Sequence, residues 1–388
     1  MINLFYFIKA YKIKTIYILN TMSSDSEYIP PTFLTEKQEN EFFSDKDVYG
    51  LRNYGNTCFM NSIIQCLNQT TEFTKYIVSL EYYHDLKKDE EIENDIQSLQ
   101  KRLTNDWYKL QRALWNTKMS LGPKSFHQTI QILSMKSGRI EFVGHHQKDA
   151  TEFFEFLMEN FHMATCGEVD FEIEGEPKHK WDKMALVAAN SWSKFFKKEY
   201  SKIVELFYGQ YHCTITCPEC TYKSTTYQPF LTLQVPVPVN KPVVSLKECL
   251  SLFNREETLD LDNQWKCENC KDYRKAQKKI SIWSTPQILT IQLKRFTKDK
   301  KKINNRVEFP LDSLSLNDYS IGYGREKATY SLYAIVNHNG DTGGGHYYSF
   351  VKKWDGTWCI ANDAMVSRIS EKDLITNSAY MLFYRKIE

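Results

Sequence analysis

Residues 53–62 read NYGNTCFMNS, and the cysteine in this stretch decides how the rest of the chain is interpreted. Cys58 directly precedes NSIIQCL (61–67), whose apolar spacing predicts an amphipathic helix. A free cysteine is most often an inert core residue. At a helix N-terminus, however, backbone N–H groups and the helix dipole favour the thiolate. We therefore interpret Cys58 as a candidate nucleophile.

Two residues just before the cysteine fit that interpretation. Gly55 removes a side chain where an extended substrate would approach the sulfur. Asn53 could donate an amide N–H to the oxyanion that forms when a thiolate attacks a carbonyl. Asparagine is also a common turn residue, and its chemistry alone favours that simpler role for Asn53.

A cysteine nucleophile needs an imidazole, and one histidine has a suitable context. His346 follows three glycines in GDTGGGHYYSF (340–350) and begins a predicted strand, and the glycines leave room for another backbone beside the ring. Asn362 and Asp363 follow in WCIAND (358–363), on a predicted returning strand, where either could orient the imidazole. The order Cys, His, Asn is that of a papain-like cysteine hydrolase.

A second helix is predicted within DATEFFEFLMENFH (149–162). Asp149 and Glu152 lie one turn apart on the same face and could bind a basic peptide. The same pair would also serve as an acidic first turn that complements the helix dipole. The residues by themselves leave both interpretations open.

Four cysteines form two C-x-x-C pairs, CPEC (217–220) and CENC (267–270), with 46 residues between them. Four thiolates suit tetrahedral Zn²⁺ and leave it no open position, so we predict one structural zinc site that joins two separate hairpins. The predicted ligands are Cys217, Cys220, Cys267 and Cys270. A zinc ribbon could instead bind nucleic acid, but the net charge of only +2 argues against it. We interpret the basic run KDYRKAQKK (271–279) as solvated surface.

Composition limits the remaining possibilities. The chain has 388 residues, 42% of them apolar, which is enough for a large core. Ten cysteines are too few for a disulfide scaffold and indicate a reducing compartment, the cytoplasm or nucleus. Lys9, Lys12 and Lys14 interrupt the apolar N-terminus, so neither a membrane-spanning helix nor a signal peptide is predicted. We expect residues 1–48 to be a flexible extension, with 1–21 dispensable before a start at Met22.

The elements change character along the chain. Helical patterns dominate as far as Phe207, apart from an acidic segment, 166–180, that we predict to be a surface loop. Alternating and β-branched segments follow, with one short helix near residues 245–253. Helices first and strands later is the pattern of an α+β fold.

Taken together, the segments resemble the ubiquitin-specific protease family of deubiquitinases. The resemblance is carried by YGLRNYGNTCFMNSIIQCL (49–67), QKDATEFFEFL (147–157), the two cysteine pairs, QLKRF (292–296), YSLYAIVNHNGDTGGGHYYSFV (330–351) and WCIANDAMVSRI (358–369). They occur in the family's order over nearly the whole chain after the lead-in. Lys148 and Ala361 depart from the family pattern, but neither departure removes a catalytic group.

The resemblance implies a papain-like right hand over residues 49–388. A helical thumb would carry Cys58, a strand-rich palm His346, and residues 207–285 would form zinc-tipped fingers. It implies Cys58 as nucleophile, His346 as base and Asn362 as orienter, with Asn53 as oxyanion donor and Asp363 assisting.

The same resemblance implies a substrate and its contacts. The substrate would be ubiquitin on proteins or in chains, with its tail threaded between thumb and palm. The implied tail-binding residues are Gln147, Asp149, Glu152, Gly344 and Gly345. We expect a monomer, with no stable membrane insertion. A hydrolase of another ubiquitin-like modifier, or a silent ubiquitin-binding module, remain the alternatives.

Overall fold

The computed structural model describes residues 4–8, 11–17, 46–86, 95–174, 176–297, 299, 301–341 and 344–387. The predicted α+β class is confirmed, because helices dominate the first half of the chain and strands the second. The helices are α1 (Cys58–Asn68), α2 (Thr71–Val78), α3 (Glu81–Asp85), α4 (Asp95–Asn116), α5 (Lys124–Lys136), α6 (Ala150–Thr165), α7 (Lys180–Phe196), α8 (Lys202–Phe207) and α9 (Leu246–Phe253).

The strands form one large sheet and several small ones. They are β1 (Leu4–Ile8), β2 (Tyr11–Tyr17), β3 (Val169–Glu174), β4 (Gly209–Thr216), β5 (Lys223–Phe230), β6 (Thr232–Pro236), β7 (Val243–Ser245), β8 (Glu257–Thr258), β9 (Trp265–Lys266), β10 (Tyr273–Arg274), β11 (Gln277–Ser284), β12 (Ile288–Lys294), β13 (Arg306–Glu308), β14 (Leu314–Ser315), β15 (Thr329–Asp341), β16 (Gly344–Lys352), β17 (Trp358–Asn362), β18 (Met365–Arg368) and β19 (Ala379–Lys386).

Helix α1 lies at the centre of the molecule, since every one of its residues is buried. One side packs against the phenylalanines of the neighbouring thumb elements, where the Phe59 ring lies 5.3 Å from Phe153 and 6.4 Å from Phe142. The other side belongs to the same core as Tyr333 and Tyr347 of the large sheet. A helix that is buried all round joins two layers, and α1 joins the helical thumb to the palm.

The palm is an eight-stranded sheet with the order β18-β17-β16-β15-β19-β12-β6, and β14 pairs with β15 beside this path. Its neighbours are antiparallel except for β12 and β6, which run parallel. The sheet brings His346 on β16 beside the returning strand β17, because Ser349 is paired with Ala361. The returning strand predicted from WCIAND is therefore present.

A separate four-stranded sheet, with the order β5-β4-β11-β8, carries the first cysteine pair, and a two-stranded sheet of β9 and β10 carries the second. Residues 217–220 form the turn between β4 and β5, and residues 267–270 form the turn between β9 and β10. In both turns the residue after the second cysteine has a positive φ, 57° at Thr221 and 60° at Lys271. The predicted arrangement of two hairpins is thus observed, with the same backbone turn in each.

The predicted surface loop over residues 166–180 is wrong in its first half, where Val169–Glu174 forms a strand. Val169 is fully buried and packs in a cluster with Phe196 and Tyr200, which the acidic composition of the segment did not reveal. This strand also pairs with β2, and β2 with β1, so part of the expected N-terminal extension has strand structure. That residues 1–21 are dispensable stays a prediction, and residues 18–45 lie outside the described residues.

In the described part of the chain, a helix with the length and apolar character needed to cross a bilayer is absent.

Candidate active site

Cys58 is the first residue of α1 and only 3% exposed. Burial, the largest influence, raises the pKa of its thiol, the backbone N–H of Tyr347 lowers this pKa, and the negative charge of Asp363 raises it. We expected the helix N-terminus to favour the thiolate, but the cost of burying a charge outweighs the nearby N–H groups. In this structure burial therefore acts against the thiolate at Cys58.

His346 and Asn362 meet as the sequence predicted. Nε2 of the imidazole lies 2.6 Å from the side-chain oxygen of Asn362, so the amide orients the ring. Among the described residues, no hydrogen bond links the Cys58 sulfur to this imidazole. The sulfur is instead next to the backbone of Tyr347, one residue after the imidazole. The predicted base thus lies on the strand that contacts the predicted nucleophile, and its orienter lies on the paired strand β17.

Asp363 joins the palm to the segment that leads into Cys58. One carboxylate oxygen accepts from Nδ2 of Asn53 at 3.0 Å, and the other accepts from Nδ2 of Asn61 at 2.8 Å. Its backbone carbonyl also accepts from the N–H of Leu51 at 2.8 Å. Asp363 has a φ of 49°, a left-handed conformation that aspartate tolerates better than most residues. The carboxylate therefore holds both ends of residues 53–61, the cysteine segment that contains Cys58.

The turn-forming interpretation of Asn53 is observed in the structure, and its role as an oxyanion donor stays a prediction. Its side-chain oxygen accepts from the backbone N–H groups of Gly55 at 2.9 Å and Thr57 at 3.0 Å, which is the turn-forming role. These contacts fix the amide so that its nitrogen faces Asp363. An amide nitrogen has two hydrogens, so a second N–H remains for another acceptor.

Gln147 links the thumb to the strand that carries the base. Its Nε2 donates to the carbonyl of Gly345 at 2.8 Å, and its Oε1 accepts from the N–H of the same residue at 2.6 Å. The side chain therefore binds the strand edge as a peptide group would. The assignment of Gln147, Gly344 and Gly345 to a substrate channel stays a prediction.

The two glycines before the base differ in what surrounds them. A Cβ on Gly345 would lie 2.1 Å from Nε2 of His338 and 2.5 Å from the carbonyl oxygen of Asn339. A Cβ on Gly344 would meet its nearest neighbour, Oε1 of Gln147, only at 3.7 Å. A side chain at position 345 would therefore collide with the buried His338. The sequence had suggested another reason for the glycine, namely space for the backbone of a substrate.

Asp149 caps α6. One of its oxygens accepts from the N–H groups of Thr151 at 2.7 Å and Glu152 at 3.1 Å, and the other accepts from the hydroxyl of Tyr380. Both oxygens are therefore engaged within the protein, as in the helix-capping interpretation. Burial, followed by the charge of Asp149, raises the pKa of Glu152. Binding of a basic peptide by this pair stays a prediction.

The four cysteines converge as predicted. Their sulfur atoms all lie within 4.8 Å of one another. The distance from Cys217 Sγ to Cys270 Sγ is 3.8 Å, and from Cys220 Sγ to Cys267 Sγ it is 3.6 Å. The cluster could therefore hold one metal ion.

Three residues at the site were missed in the sequence. They are Asn61, which donates to Asp363, His338 behind Gly345, and Tyr380, which donates to Asp149. Asn61 shares its helix with the polar residues Ser62, Gln65 and Asn68, so its polarity alone did not distinguish it. His338 and Tyr380 lie in strands whose partners only the sheet topology reveals.

The sequence matches the family described as Ubiquitin carboxyl-terminal hydrolase over residues 49–384. This match covers most of the chain and contains every residue of the site, so the chain belongs to that family. The resemblance recognised from the sequence is thereby confirmed.

Known proteins that the chain resembles agree with this family. It is 34% identical over 353 residues to Ubiquitin carboxyl-terminal hydrolase 2 from Bos taurus, covering 88% of this chain and 55% of that one. It is 35% identical over 347 residues to Ubiquitin carboxyl-terminal hydrolase 2 from Gallus gallus, covering 86% and 92%. The chain thus spans about half the length of the first of these relatives.

A solved structure shares the fold. The SAGA DUB module bound to ubiquitin aldehyde contains a chain that superposes with a TM-score of 0.67 at 27% identity, covering 89% of this chain and 71% of that one. The papain-like right hand predicted from the sequence is therefore confirmed as the fold.

Gly345→Ala should destabilise the protein, because the new methyl group would collide with His338 and with the backbone of Asn339. We expect a loss of about 1–3 kcal/mol in the free energy of unfolding, typical of overpacking, measured by urea denaturation. Gly344→Ala is the matched control and should change it by less than about 0.5 kcal/mol. Equal stability of the two variants would contradict the assigned role of Gly345.

Asp363→Asn should lower the pKa of the Cys58 thiol, because it removes a negative charge that raises this pKa. At pH 7 a larger fraction of the sulfur is then thiolate, so iodoacetamide should alkylate Cys58 about two- to fivefold faster. Alkylation can be followed by mass spectrometry. Asp355→Asn, at a turn of the same sheet, should leave the rate unchanged. A slower reaction in Asp363→Asn would show that the carboxylate does not act on the sulfur through its charge.

Proposed function

We propose that this protein is a deubiquitinase, a thiol-dependent hydrolase of the (iso)peptide bond after the C-terminal glycine of ubiquitin. The observation that carries the proposal is the convergence of Cys58 with the His346–Asn362 pair at the junction of thumb and palm. Membership of the Ubiquitin carboxyl-terminal hydrolase family supports it. A structural neighbour bound to ubiquitin aldehyde supports ubiquitin as the substrate.

The chemistry follows from the groups present. His346 removes the proton from the Cys58 thiol, and the sulfur attacks the carbonyl carbon of the terminal glycine. The resulting oxyanion is stabilised by the second N–H of Asn53. The C–N bond then breaks, the imidazolium gives its proton to the leaving amine, and a thioester remains. Water, deprotonated by the same imidazole, hydrolyses the thioester and restores the thiol.

Because the pKa of the Cys58 thiol is raised, removal of its proton by the His346 imidazole becomes an important step of this reaction. Burial raises the pKa of the Cys58 thiol, so His346 would take up the proton as the substrate binds. Catalytic hydrogen bonds often shorten only in the substrate complex. Asn362 holds the ring in position for this transfer. The two side chains therefore act as one unit.

The tail of the substrate would pass between α6 and β16. Gly344, Gly345 and Gln147 would contact its backbone, and Asp149 and Glu152 its basic side chains. Because both oxygens of Asp149 are already engaged, Glu152 would make the direct ion pair. A cation there would also relieve the repulsion from Asp149 that raises the pKa of Glu152.

The metal is proposed to be one structural zinc ion. Four thiolates about 2.3 Å from Zn²⁺ at tetrahedral angles place their sulfur atoms roughly 3.8 Å apart. The observed separations of 3.6 Å and 3.8 Å fit this ion. Four protein ligands leave no site for substrate, so the metal would hold the two finger hairpins together.

We propose further that the enzyme acts on ubiquitinated proteins or polyubiquitin as a monomer, without binding nucleic acid. The ten free cysteines suit a reducing compartment, the cytoplasm or nucleus.

The proposed activity predicts release of a fluorophore from the C-terminus of ubiquitin by the wild-type chain and its loss in Cys58→Ala. Cys166→Ala, at the opposite end of α6 from Asp149, is the matched cysteine control and should retain the rate. Release from another ubiquitin-like modifier, but not from ubiquitin, would identify a related hydrolase. Ubiquitin binding without any release would identify a binding module.

The zinc proposal predicts one zinc per chain by elemental analysis. Cys270→Ser should lose the metal and lower the midpoint of thermal unfolding, because the two finger hairpins are no longer joined. Cys213→Ser, on the neighbouring finger strand β4, should keep both its zinc and its midpoint of thermal unfolding. A full zinc content in Cys270→Ser would contradict the assigned ligands.

A further inference from the structure

The segment between Asn53 and Cys58 has an uncommon backbone that needs support. Gly55 and Asn56 both have positive φ, 91° and 57°. Such conformations persist where the surroundings fix them. Asp363 holds this segment from the palm side. A second set of contacts, from α5, holds it from the thumb side.

The first of these contacts is an aromatic stack. The ring of Tyr54 lies parallel to the imidazole of His127 on α5, with 6.0 Å between centroids and 11° between planes. The Tyr54 hydroxyl fills the space beside Gly122, where a Cβ would lie 2.0 Å from it. The position of Tyr54 is therefore set by the imidazole on one face and by the backbone at its tip.

The second contact runs through residues 144 and 145, just before Gln147. The His145 ring lies 6.2 Å from the His127 ring, and its backbone carbonyl accepts from Nδ2 of Asn56 at 2.7 Å. Gln131 donates from Nε2 to the carbonyl of Gly144 at 3.2 Å. His127 thus lies between the two segments that lead to Asn53 and to Gln147.

The hydrogen bonds define the protonation state of this imidazole. Nε2 of Gln131 must be a donor, because it faces the carbonyl of Gly144. The same nitrogen lies 3.0 Å from Nε2 of His127, which must then be the acceptor. An imidazole accepts a hydrogen bond only when it is neutral. If His127 were protonated, the N–H at its Nε2 would face the N–H of Gln131 Nε2, and no hydrogen bond could form between them.

We propose that neutral His127 is a positioning residue that fixes the Asn53–Cys58 segment through Tyr54 and residues 144–145. This role rests on the proposed function, because it acts on the donor to the oxyanion. It is separate from the site itself, since His127 contacts neither the sulfur nor the base.

The surroundings keep the imidazole neutral. Burial, followed by the nearby His145, lowers the pKa of His127. The titratable and charged groups around it are Tyr54, His145, His146 and Lys148, which face it or line the same pocket, and Lys124 one turn earlier on α5. None of them is an acid that would favour the charged ring. The support is therefore complete at neutral pH and is lost as the pH falls below the ordinary histidine range.

The test uses the full chain with ubiquitin carrying a C-terminal fluorophore, and it measures kcat and KM separately from pH 5.5 to 8. His127→Ala should lower kcat about tenfold at pH 7.5 and change KM less than twofold, because substrate contacts remain. His127→Phe keeps the stack and cannot ionise. It should recover kcat to within about threefold of wild type and lose less of it at pH 5.5 than wild type does.

The controls separate this inference from the proposed function. Absence of release by the wild-type chain refutes the function, whereas release with an unchanged kcat in His127→Ala refutes only the role of His127. The role of His127 would also be refuted if kcat fell equally between pH 7.5 and pH 5.5 in His127→Phe and in wild type. His84→Phe, an exposed histidine of the thumb, should leave the profile unchanged. Thermal unfolding shows which variants are folded. If His127→Ala fails to fold, the pH dependence of kcat in His127→Phe tests the role of His127.

Discussion

The carboxylate of Asp363 is the contact on which the active site depends. It receives Nδ2 of Asn53 from a position 310 residues earlier in the chain, and Nδ2 of Asn61 from the helix that carries Cys58. A carboxylate has acceptor capacity for both donors at once. Because its neighbour Asn362 orients His346, a single turn of the palm positions Asn53, the helix that carries Cys58 and the imidazole.

The same carboxylate works against ionisation of the nucleophile. Together with burial it raises the pKa of the Cys58 thiol, although backbone N–H groups at the helix start lower it. Burial and the charge of Asp363 thus both act against a preformed thiolate. In the proposed reaction, transfer of the proton to His346 would offset this effect, since an imidazolium beside the sulfur would compensate its charge.

The cysteine segment is held from two sides by contacts of different strength. The palm side uses an ionised acceptor, which makes stronger hydrogen bonds than neutral partners do. The thumb side uses a stack of Tyr54 on a neutral imidazole and one amide hydrogen bond to the loop that carries Gln147. Since α1 is buried between the same two layers, a shift of either layer would move the nucleophile.

The sequence by itself determined the α+β class, the family and the four converging cysteines. It also predicted a nucleophile, a base and its orienter, and the pairing of His346 with Asn362 is observed. It did not determine the strand at 169–174, whose acidic residues alternate with buried or half-buried apolar ones. Nor did it determine the reason for Gly345, which is a histidine on the adjacent strand. It also indicated a favoured thiolate at Cys58. Only the tertiary structure decided these points, because burial and contacts between distant strands depend on the packed chain.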